Sequence, residues 1–265
     1  MKPRVKTRLA VPTRQQVLAF CAEDPVERVF LEDVQRRGLG RFSSVAGRDG
    51  RLTALCFLGA NIVPSGTGCG AFAELAAAAR PRMMIGEAGA VGDLWQAAAK
   101  RLPKLREDRP HQPVYVLREA PAVGGTGLRP ATRAELEVLV PACAAAHELE
   151  LGVDPLARDA EAFRWRTAAQ IDDGRSWLWL EDGVIRFKAE ASAWTPEAVQ
   201  VSQVWVDPVA RRHGYAARAL RDLCRLLLET TPVVTLFVRS ENAPAIALYE
   251  HIGMQKALEY RSLLF

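Results

Sequence analysis

Hydrophobic and polar positions in the second half of the chain follow two different periods. Leu220, Leu223 and Leu227 recur at helical spacing and predict an amphipathic helix that begins after Gly214. The run VVTLFV at 233–238 is rich in β-branched residues, as expected of a strand covered on both faces. Further predicted strands precede this helix, with the sequences SWLWL, VIRFKAEAS and VQVSQVWV.

The same reading predicts the remaining elements of this half. Two helices, from Arg133 to about Glu150 and from Asp159 to Ile171, precede the three strands. A short helix follows Asn242, and ALEYRSLLF closes the chain as a final strand. The predicted order is therefore two helices, three antiparallel strands, helix, strand, helix and strand.

The first half of the chain predicts a similar order of elements. The predicted helices lie at 14–20, 25–36, 71–79 and 91–100, and the predicted strands at 43–46, 52–57, 61–63, 83–86 and 113–117. A segment dense in Gly, Pro and Ala, residues 119–135, is typical of a linker. We therefore expect two domains, at 1–122 and 127–265.

The segment VWVDPVARRHGYA, residues 204–216, carries the clearest chemical signal. Its β-forming residues end at Asp207-Pro208, and Gly214 allows a backbone to come close to a ligand at the start of the next helix. The free amides of a first helical turn, together with the helix dipole, bind phosphate groups well. An ordinary strand-to-helix turn with surface arginines is the alternative interpretation.

Two motifs together resemble the GNAT acyltransferases. The first is Arg211-x-x-Gly214-x-Ala216, and the second, one helix and one strand later, is the N-x-x-A-x-x-L-Y-x-x-x-G-M pattern from Asn242 to Met254. The resemblance implies an α/β (α+β) GNAT fold with a mixed, mostly antiparallel sheet in the C-terminal half. Nearly the whole chain also resembles a GNAT subgroup of actinobacteria and related genomes, on the phrases CAEDPVERVFL and GANIVPSG; its N-terminal domain is uncharacterised.

The N-terminal α/β domain has two interpretations. When NIVPSGTGCGAFAELA is aligned with VWVDPVARRHGYAARAL, Pro64 matches Pro208 and Gly70 matches Gly214, whereas Thr67 stands at the position of Arg211. This match favours a degenerate GNAT-like repeat. The alternative is an unrelated α/β domain that packs against the catalytic one.

Composition limits the function classes. The net charge of +4 suits an anionic cofactor, and without a basic block interleaved with aromatic residues we expect no nucleic-acid partner. Five scattered cysteines, never in a CxxC pair, predict reduced thiols, a cytoplasmic location and no metal site. No apolar run has membrane-spanning length, and MKPRVKTRLA lacks the apolar region of a signal peptide.

The resemblance implies a binding site for acetyl-CoA or another acyl-CoA as co-substrate. Amides from Arg212 to Ala217 would hold the pyrophosphate, and the amides of Val204 and Val206 would bind the acyl carbonyl and the pantetheine arm. Asn242 would contact the pantetheine. The expected cofactor-binding residues are Val204, Trp205, Val206, Arg211, Arg212, His213, Gly214, Tyr215, Ala216, Ala217, Asn242 and Tyr249.

The expected catalytic residues are Tyr249, Glu190 and Glu148. Tyr249 would protonate the leaving thiolate as a general acid, although core packing is its alternative role. A carboxylate would remove the proton of the acceptor amine, with Glu190 and the pair Glu148 and Glu150 as candidates. An ion pair with Lys188 is an equally natural role for Glu190.

We therefore expect an acyl-CoA-dependent N-acyltransferase that transfers an acyl group directly to a primary amine of a small molecule or a peptide. A non-catalytic, acyl-CoA-binding regulatory module is the first alternative. An aminoacyl transferase that uses charged RNA is a weaker one, because such enzymes generally lack the pyrophosphate loop. The acceptor and the oligomeric state stay open, with a homodimer as one alternative and no membrane partner expected.

Overall fold

The computed structural model of the chain describes residues 9–265, which form two compact units. The first unit contains residues up to Tyr115 together with 237–243 and 256–265, and the second contains 116–236 and 244–255. The expectation about a signal peptide falls on the first ten residues, nearly all of which lie outside the described part. No helix in residues 9–265 combines the length and the apolar character that a membrane span requires.

The first unit alternates helices and strands in a regular order. Its helices are short, and three successive antiparallel strands follow the second helix. A 3₁₀ turn at Cys69–Phe72 then leads into the third helix. In chain order the elements are β1 (Leu9–Ala10), α1 (Arg14–Cys21), α2 (Val29–Arg36), β2 (Arg41–Ala46), β3 (Leu52–Leu58), β4 (Asn61–Gly66), α3 (Ala73–Ala79), β5 (Met83–Glu87), α4 (Ala88–Ala98) and β6 (Glu107–Leu117).

The sheet of the first unit contains a strand from the end of the chain. The strand order is β1-β2-β3-β4-β5-β12-β6, in which β12 is the last strand, Gln255–Leu264. Neighbours from β1 to β4 are antiparallel, β4 and β5 are parallel, and β12 is antiparallel to β5. Ser262 lies opposite Ile85 in that last pair.

Two apolar clusters form the core of the first unit. One lies between the sheet and α3 and α4, and includes Phe72, Leu94 and Leu263, all fully buried. The other, around Val17 and Leu55, packs α1 and α2 against the sheet. The sheet is therefore covered by helices on both faces.

The second unit repeats this order. Its helices are longer, and the turn after its fourth strand again begins with a 3₁₀ segment, Pro208–Ala210. The elements are β7 (Arg129–Pro130), α5 (Leu136–Leu151), α6 (Pro155–Asp172), β8 (Ser176–Glu181), β9 (Val184–Trp194), β10 (Val199–Val206), α7 (Tyr215–Leu228), β11 (Val234–Phe237) and α8 (Ala243–His251). The strand order is β7-β8-β9-β10-β11, with only β10 and β11 parallel.

The amphipathic stripe after Gly214 forms α7 as predicted, with Leu220, Leu223 and Leu227 buried. On the other face of the sheet, a cluster that includes Leu139, Phe163 and Leu178 packs α5 and α6 against the strands. The second unit thus also has helices on both faces of its sheet.

The predicted fold class is confirmed, and several bounds differ from the predictions; the helix predicted at 25–36, for example, begins at Val29. The second helix of the C-terminal half begins at Pro155, and Asp159, its predicted start, lies at a kink where its carboxylate accepts the amide of Ala162 at 3.0 Å. The last strand was expected to complete the C-terminal half, but it pairs with β5 of the first unit. The division at 122 and 127 stays a prediction about domains.

Candidate functional site

The fourth strand of the second unit leaves its parallel neighbour early. β10 pairs with β11 only at Val199 and Gln200, whereas its pairing with β9 continues to Val206. The amide of Asp207 donates to the carbonyl of Arg186 on the β9 side. Because amides alternate along a strand, those of Val204 and Val206 lie on the opposite edge, which β11 has left.

The turn after β10 leads into α7, whose first amides have no side-chain cap in the described part of the chain. Residues 211–214 are exposed, Gly214 has a φ of 80°, and no side chain in the described part of the chain caps α7. Asp154 caps α6 and Glu87 caps α4, whereas α2, α3 and α5 also lack a side-chain cap hydrogen bond. The first amides of α7 therefore face solvent with the positive end of the helix dipole, as an anion site requires.

Side chains at the start of α7 fix the helix rather than extend into the turn. The Tyr215 hydroxyl donates to Glu181 at 2.6 Å, and its ring lies 4.7 Å from that of Trp179. Arg211 contacts the Val206 carbonyl with its Nε at 3.4 Å. Tyr215 can therefore serve a ligand only through its backbone, whereas Arg211 and Arg212 keep exposed guanidinium groups.

The linker is bound along α7, a feature that the sequence did not indicate. The carboxylate of Asp222 accepts the amides of Gly124 and Thr126 at 2.6 and 2.9 Å and the Thr126 hydroxyl at 2.6 Å. Burial acts to raise the pKa of Asp222, but these hydrogen bonds outweigh it and hold the pKa below its usual value. These hydrogen bonds hold the linker against α7, the helix whose first amides are open.

A bulge interrupts the pairing of β9 and β10. Glu190 lies opposite Ser202 and Lys188 lies opposite Trp205, so that β10 has one more residue than β9 in this interval. Within it, Gln203 has a φ of 52°. A side chain at positive φ costs free energy and persists only where its surroundings require it, often at a functional site.

Glu190 is held in a buried polar network opposite this bulge. Its Oε1 accepts a hydrogen bond from Lys188 Nζ at 2.6 Å and lies 3.2 Å from the sulfur of Cys143, and Lys188 has no exposed surface. Burial acts to raise the pKa of Glu190, but the Lys188 ammonium lowers it below its usual value. Burial raises the pKa of the Cys143 thiol to about 12. Glu190 is therefore a charged and weakly basic carboxylate.

A second carboxylate reaches the bulge from α5. Glu150, half-buried in the last turn of the helix, accepts a hydrogen bond from the side-chain amide of Gln203. Tyr249 on α8 is buried, and burial together with the negative charge of Glu150 raises its pKa. The structure thus brings Glu150, Gln203 and Tyr249 to the segment where β10 leaves β11.

The other predicted site residues are spread around this segment. Glu148 is exposed, and burial lowers the pKa of the neighbouring His147, whose ring lies 5.9 Å from that of Phe163. Asn242 belongs to the first compact unit, where its backbone amide donates to the Arg239 carbonyl at 3.0 Å. Trp205 packs against the apolar cluster of α5 and α6.

The cysteines are buried free thiols, and residues 9–265 contain no group of three or more His, Cys, Asp and Glu side chains arranged to hold a metal ion. Burial raises the pKa of Cys224 to about 12 and that of Cys56 well above its usual value. These thiols therefore lack the lowered pKa of a reactive cysteine.

Family models match most of the chain. The model of the acetyltransferase (GNAT) family matches residues 95–254, more than half of the chain. The chain therefore belongs to the GNAT acetyltransferase family. A second model, described as a domain of unknown function (DUF4081), matches residues 40–139. No curated protein matches the chain by sequence.

Solved structures share the fold over nearly the full length. A GCN5-related N-acetyltransferase from Sphaerobacter thermophilus is 16% identical with a TM-score of 0.63, covering 98% of this chain and 95% of the other. A GNAT-family acetyltransferase from Colwellia psychrerythraea is 10% identical with a TM-score of 0.62, covering 97% and 99%. A tandem GNAT protein from the clavulanic acid biosynthesis pathway is 16% identical with a TM-score of 0.57, covering 96% and 98%.

These similarities confirm the predicted family and the GNAT fold. They extend through the first unit, whose elements follow the same order as those of the second. The first half of the chain thus has the element order that the repeat interpretation predicted.

Proposed function

We propose that the protein transfers an acetyl group from acetyl-CoA to a primary amine of a small molecule or a peptide. The observation that carries this proposal is the exposed glycine turn before α7, whose first-turn amides lack a side-chain cap in the described part of the chain. The turn follows directly from a strand edge that its parallel neighbour has left. The glycine turn suits a diphosphate, and the open strand edge suits the arm that connects the diphosphate to a thioester.

The residues present fit coenzyme A at this turn. A Cβ built on Gly214 would meet no atom within 4 Å, so the space above the turn is open. The amides from Arg212 to Ala217 would hold the pyrophosphate, and the exposed Arg211 and Arg212 would add positive charge. The amides of Val204 and Val206 would bind the pantetheine arm and the acyl oxygen.

Acyl-CoA supplies an acyl group that is activated as a thioester. The β10 amides stabilise negative charge that develops on the acyl oxygen, an effect worth roughly 3 kcal/mol per donor. Tyr249, whose pKa is raised by burial, is protonated at neutral pH and gives its proton to the leaving thiolate. A carboxylate accepts the proton of the amine.

The binding test removes a single amide. Ala216→Pro deletes one N–H in the first turn of α7, where proline is tolerated, and Ala216→Gly keeps that N–H as the matched control. We expect the proline variant to bind acetyl-CoA about tenfold to a hundredfold more weakly in titration calorimetry, since a hydrogen bond to a charged group is worth roughly 1.5–3 kcal/mol. Equal affinities for the two variants would contradict the proposed cradle.

The activity test follows release of the coenzyme A thiol with a panel of primary amines. Turnover with any amine supports the transferase, and failure of the wild-type protein to bind acyl-CoA rejects it. Tight binding without turnover across the panel would support the regulatory alternative.

A further inference from the structure

Glu150 is a carboxylate that a hydrogen bond connects to the opened part of β10. It lies in the last turn of α5, where its Oε2 accepts the side-chain amide of Gln203. Gln203 stands inside the bulge, three residues after the last pair of β10 with β11 at Gln200. The hydrogen bond therefore fixes the carboxylate beside the strand edge that carries the proposed acyl site.

The backbone conformation of Gln203 and the residues opposite it indicate that local contacts maintain the bulge. Its φ of 52° lies in the left-handed region, which costs a residue with a side chain free energy. Opposite the bulge, the buried pair of Lys188 and Glu190 spans the interval between the two pairing registers. A buried ion pair with a good hydrogen bond favours one local arrangement of the strands.

Tyr249 and Glu150 influence each other. Burial is the main cause of the raised pKa of Tyr249, and the charge of Glu150 is the next. A phenol that stays protonated and a neighbouring carboxylate have the properties of an acid and a base for one transfer reaction.

We propose that Glu150 is the general base of the transfer reaction and that Gln203 positions it; this inference rests on the proposed function. As the amine nitrogen forms a bond to the acyl carbon, the carbon–sulfur bond breaks. Glu150 takes the proton that leaves the amine, and Tyr249 gives a proton to the sulfur. The products are the N-acyl amine and the coenzyme A thiol, and solvent returns both side chains to their starting states.

The other carboxylates have different surroundings. Glu190 is committed to Lys188 and Cys143, which suits a positioning role for the bulge. Glu148 is exposed, two residues before Glu150 on the same helix. Burial lowers the pKa of His147, an imidazole near the end of α5 that also lies within the field of Arg166 and Arg158.

The test compares pH profiles of variants with the full-length protein and acetyl-CoA. We expect Glu150→Gln to lower kcat/KM for the amine by about 10²–10⁴-fold and to remove the acid-side limb of the profile, with acetyl-CoA affinity unchanged. Glu150→Asp should keep the limb. Glu161→Gln, which removes an exposed charge on α6, is the matched control and should behave as the wild type.

The pH profile of Gln203→Ala is a second readout, and a purely structural role of Gln203 would leave that profile unchanged. Without the amide donor the carboxylate loses a hydrogen bond to its charged form, so the acid-side limb should shift to higher pH while acetyl-CoA still binds. Melting temperatures of all variants check that they are folded.

The inference is overturned if Glu150→Gln keeps the limb, or if Glu148→Gln, Glu190→Gln or His147→Asn removes it instead. If the wild type neither binds nor turns over acetyl-CoA, the proposed function fails. If the wild type turns over and the Glu150 variant does so equally well, only the assignment of the base fails.

Discussion

The two units share one order of elements but differ at the turn after their fourth strand. In the second unit the pairing of β9 and β10 shifts register between Ser202 and Trp205. In the first unit β3 and β4 pair without a shift from Ile62 to Gly66. The same fold thus carries a bulged strand in one copy and a regular strand in the other.

In the first unit, groups of the protein itself lie at the turn and at the strand that stay open in the second unit. The carboxylate of Asp93 accepts the amide of Gly70, the residue aligned with Gly214, at 2.9 Å. Pro64, on the fourth strand, has no amide hydrogen to offer. Its carbonyl lies so close to Gly86 of β5 that a Cβ there would come within 2.8 Å of it.

A carboxylate near the connection of the first two helices contacts the fourth strand in both units. Glu27 accepts the Ser65 hydroxyl at 2.8 Å, and Glu150 accepts the Gln203 amide. Glu27 is nearly buried and is also paired with Arg28 at 2.9 Å, whereas Glu150 is half-buried. The two units therefore differ at the place of the proposed acyl-CoA site, where β10 is bulged and the corresponding β4 is regular.

The largest effect is expected when the first unit loses the strand that it receives from the end of the chain. Deleting residues 256–265 removes β12 and with it the buried Tyr260, Leu263 and Leu264. Because burial of one large apolar side chain is worth roughly 1.5–3 kcal/mol, the loss is comparable with the total stability of a domain. We expect the amides of β5 and β6 to lose protection in hydrogen exchange.

The single substitution Leu263→Ala is the graded control for this deletion. It should lower the free energy of unfolding by about 2–5 kcal/mol while the first unit stays folded. A deletion variant whose β5 and β6 amides exchange as slowly as in the full chain would show that the first unit folds without this strand.

The next effect concerns the buried Glu27. Burial raises its pKa from 4.5 to about 7, in spite of Ser65 and Arg28. A raised folded-state pKa means that this stability is fully present below pH 4.5 and is lost as the pH rises through about 7. At about 1.4 kcal/mol per pKa unit, the wild type should lose about 3 kcal/mol between pH 5 and pH 9.

Urea unfolding across this pH range checks the expectation. Glu27→Gln should remove this loss, since glutamine carries no titratable proton, and should leave the rise in stability toward pH 6.5 that the lowered pKa of His147 produces. If the wild-type protein instead becomes more stable toward pH 9, charging the Glu27 carboxylate costs no stability. The contrast between the nearly buried Glu27 and the half-buried Glu150 would then be weaker.

The smallest effect is expected at Asp93. Asp93→Ala leaves the amide of Gly70 without its acceptor and should cost about 1 kcal/mol, because the pair is exposed. Affinity for acetyl-CoA should stay unchanged, since the proposed cradle lies in the second unit. An increase in binding stoichiometry from one to two acetyl-CoA molecules per chain would show instead that Asp93 alone closes a second site.

The sequence predicted the elements well because each has a local signal. The leucine stripe of α7, the apolar run of β11 and the glycine before α7 depend on neighbours a few residues apart. The partner of β12 could not be predicted, because its residues suit either sheet edge and no local pattern specifies which one. Strand alternation likewise gave no indication of an extra residue in β10.

The candidate site was predictable only in part for the same reason. The family motifs indicated the turn and Tyr249, and both lie in the second unit. The alternation of β9 placed Lys188 and Glu190 on one face, yet it could not decide between a base and an ion pair. The hydrogen bond from Gln203 to Glu150 joins residues 53 positions apart and depends on a bulge. The contact of the linker with Asp222 joins residues almost a hundred positions apart and had no signal in the sequence.

The place of β12 in the first sheet has a consequence for protein synthesis. When Tyr115 has been translated, about 150 further residues must follow before β12, the strand between β5 and β6, is complete. At roughly 5–20 residues per second, the nascent first unit waits about 7–30 s with the edges of β5 and β6 unpaired by β12. Chaperone dependence during translation should therefore concentrate on the first half of the polypeptide.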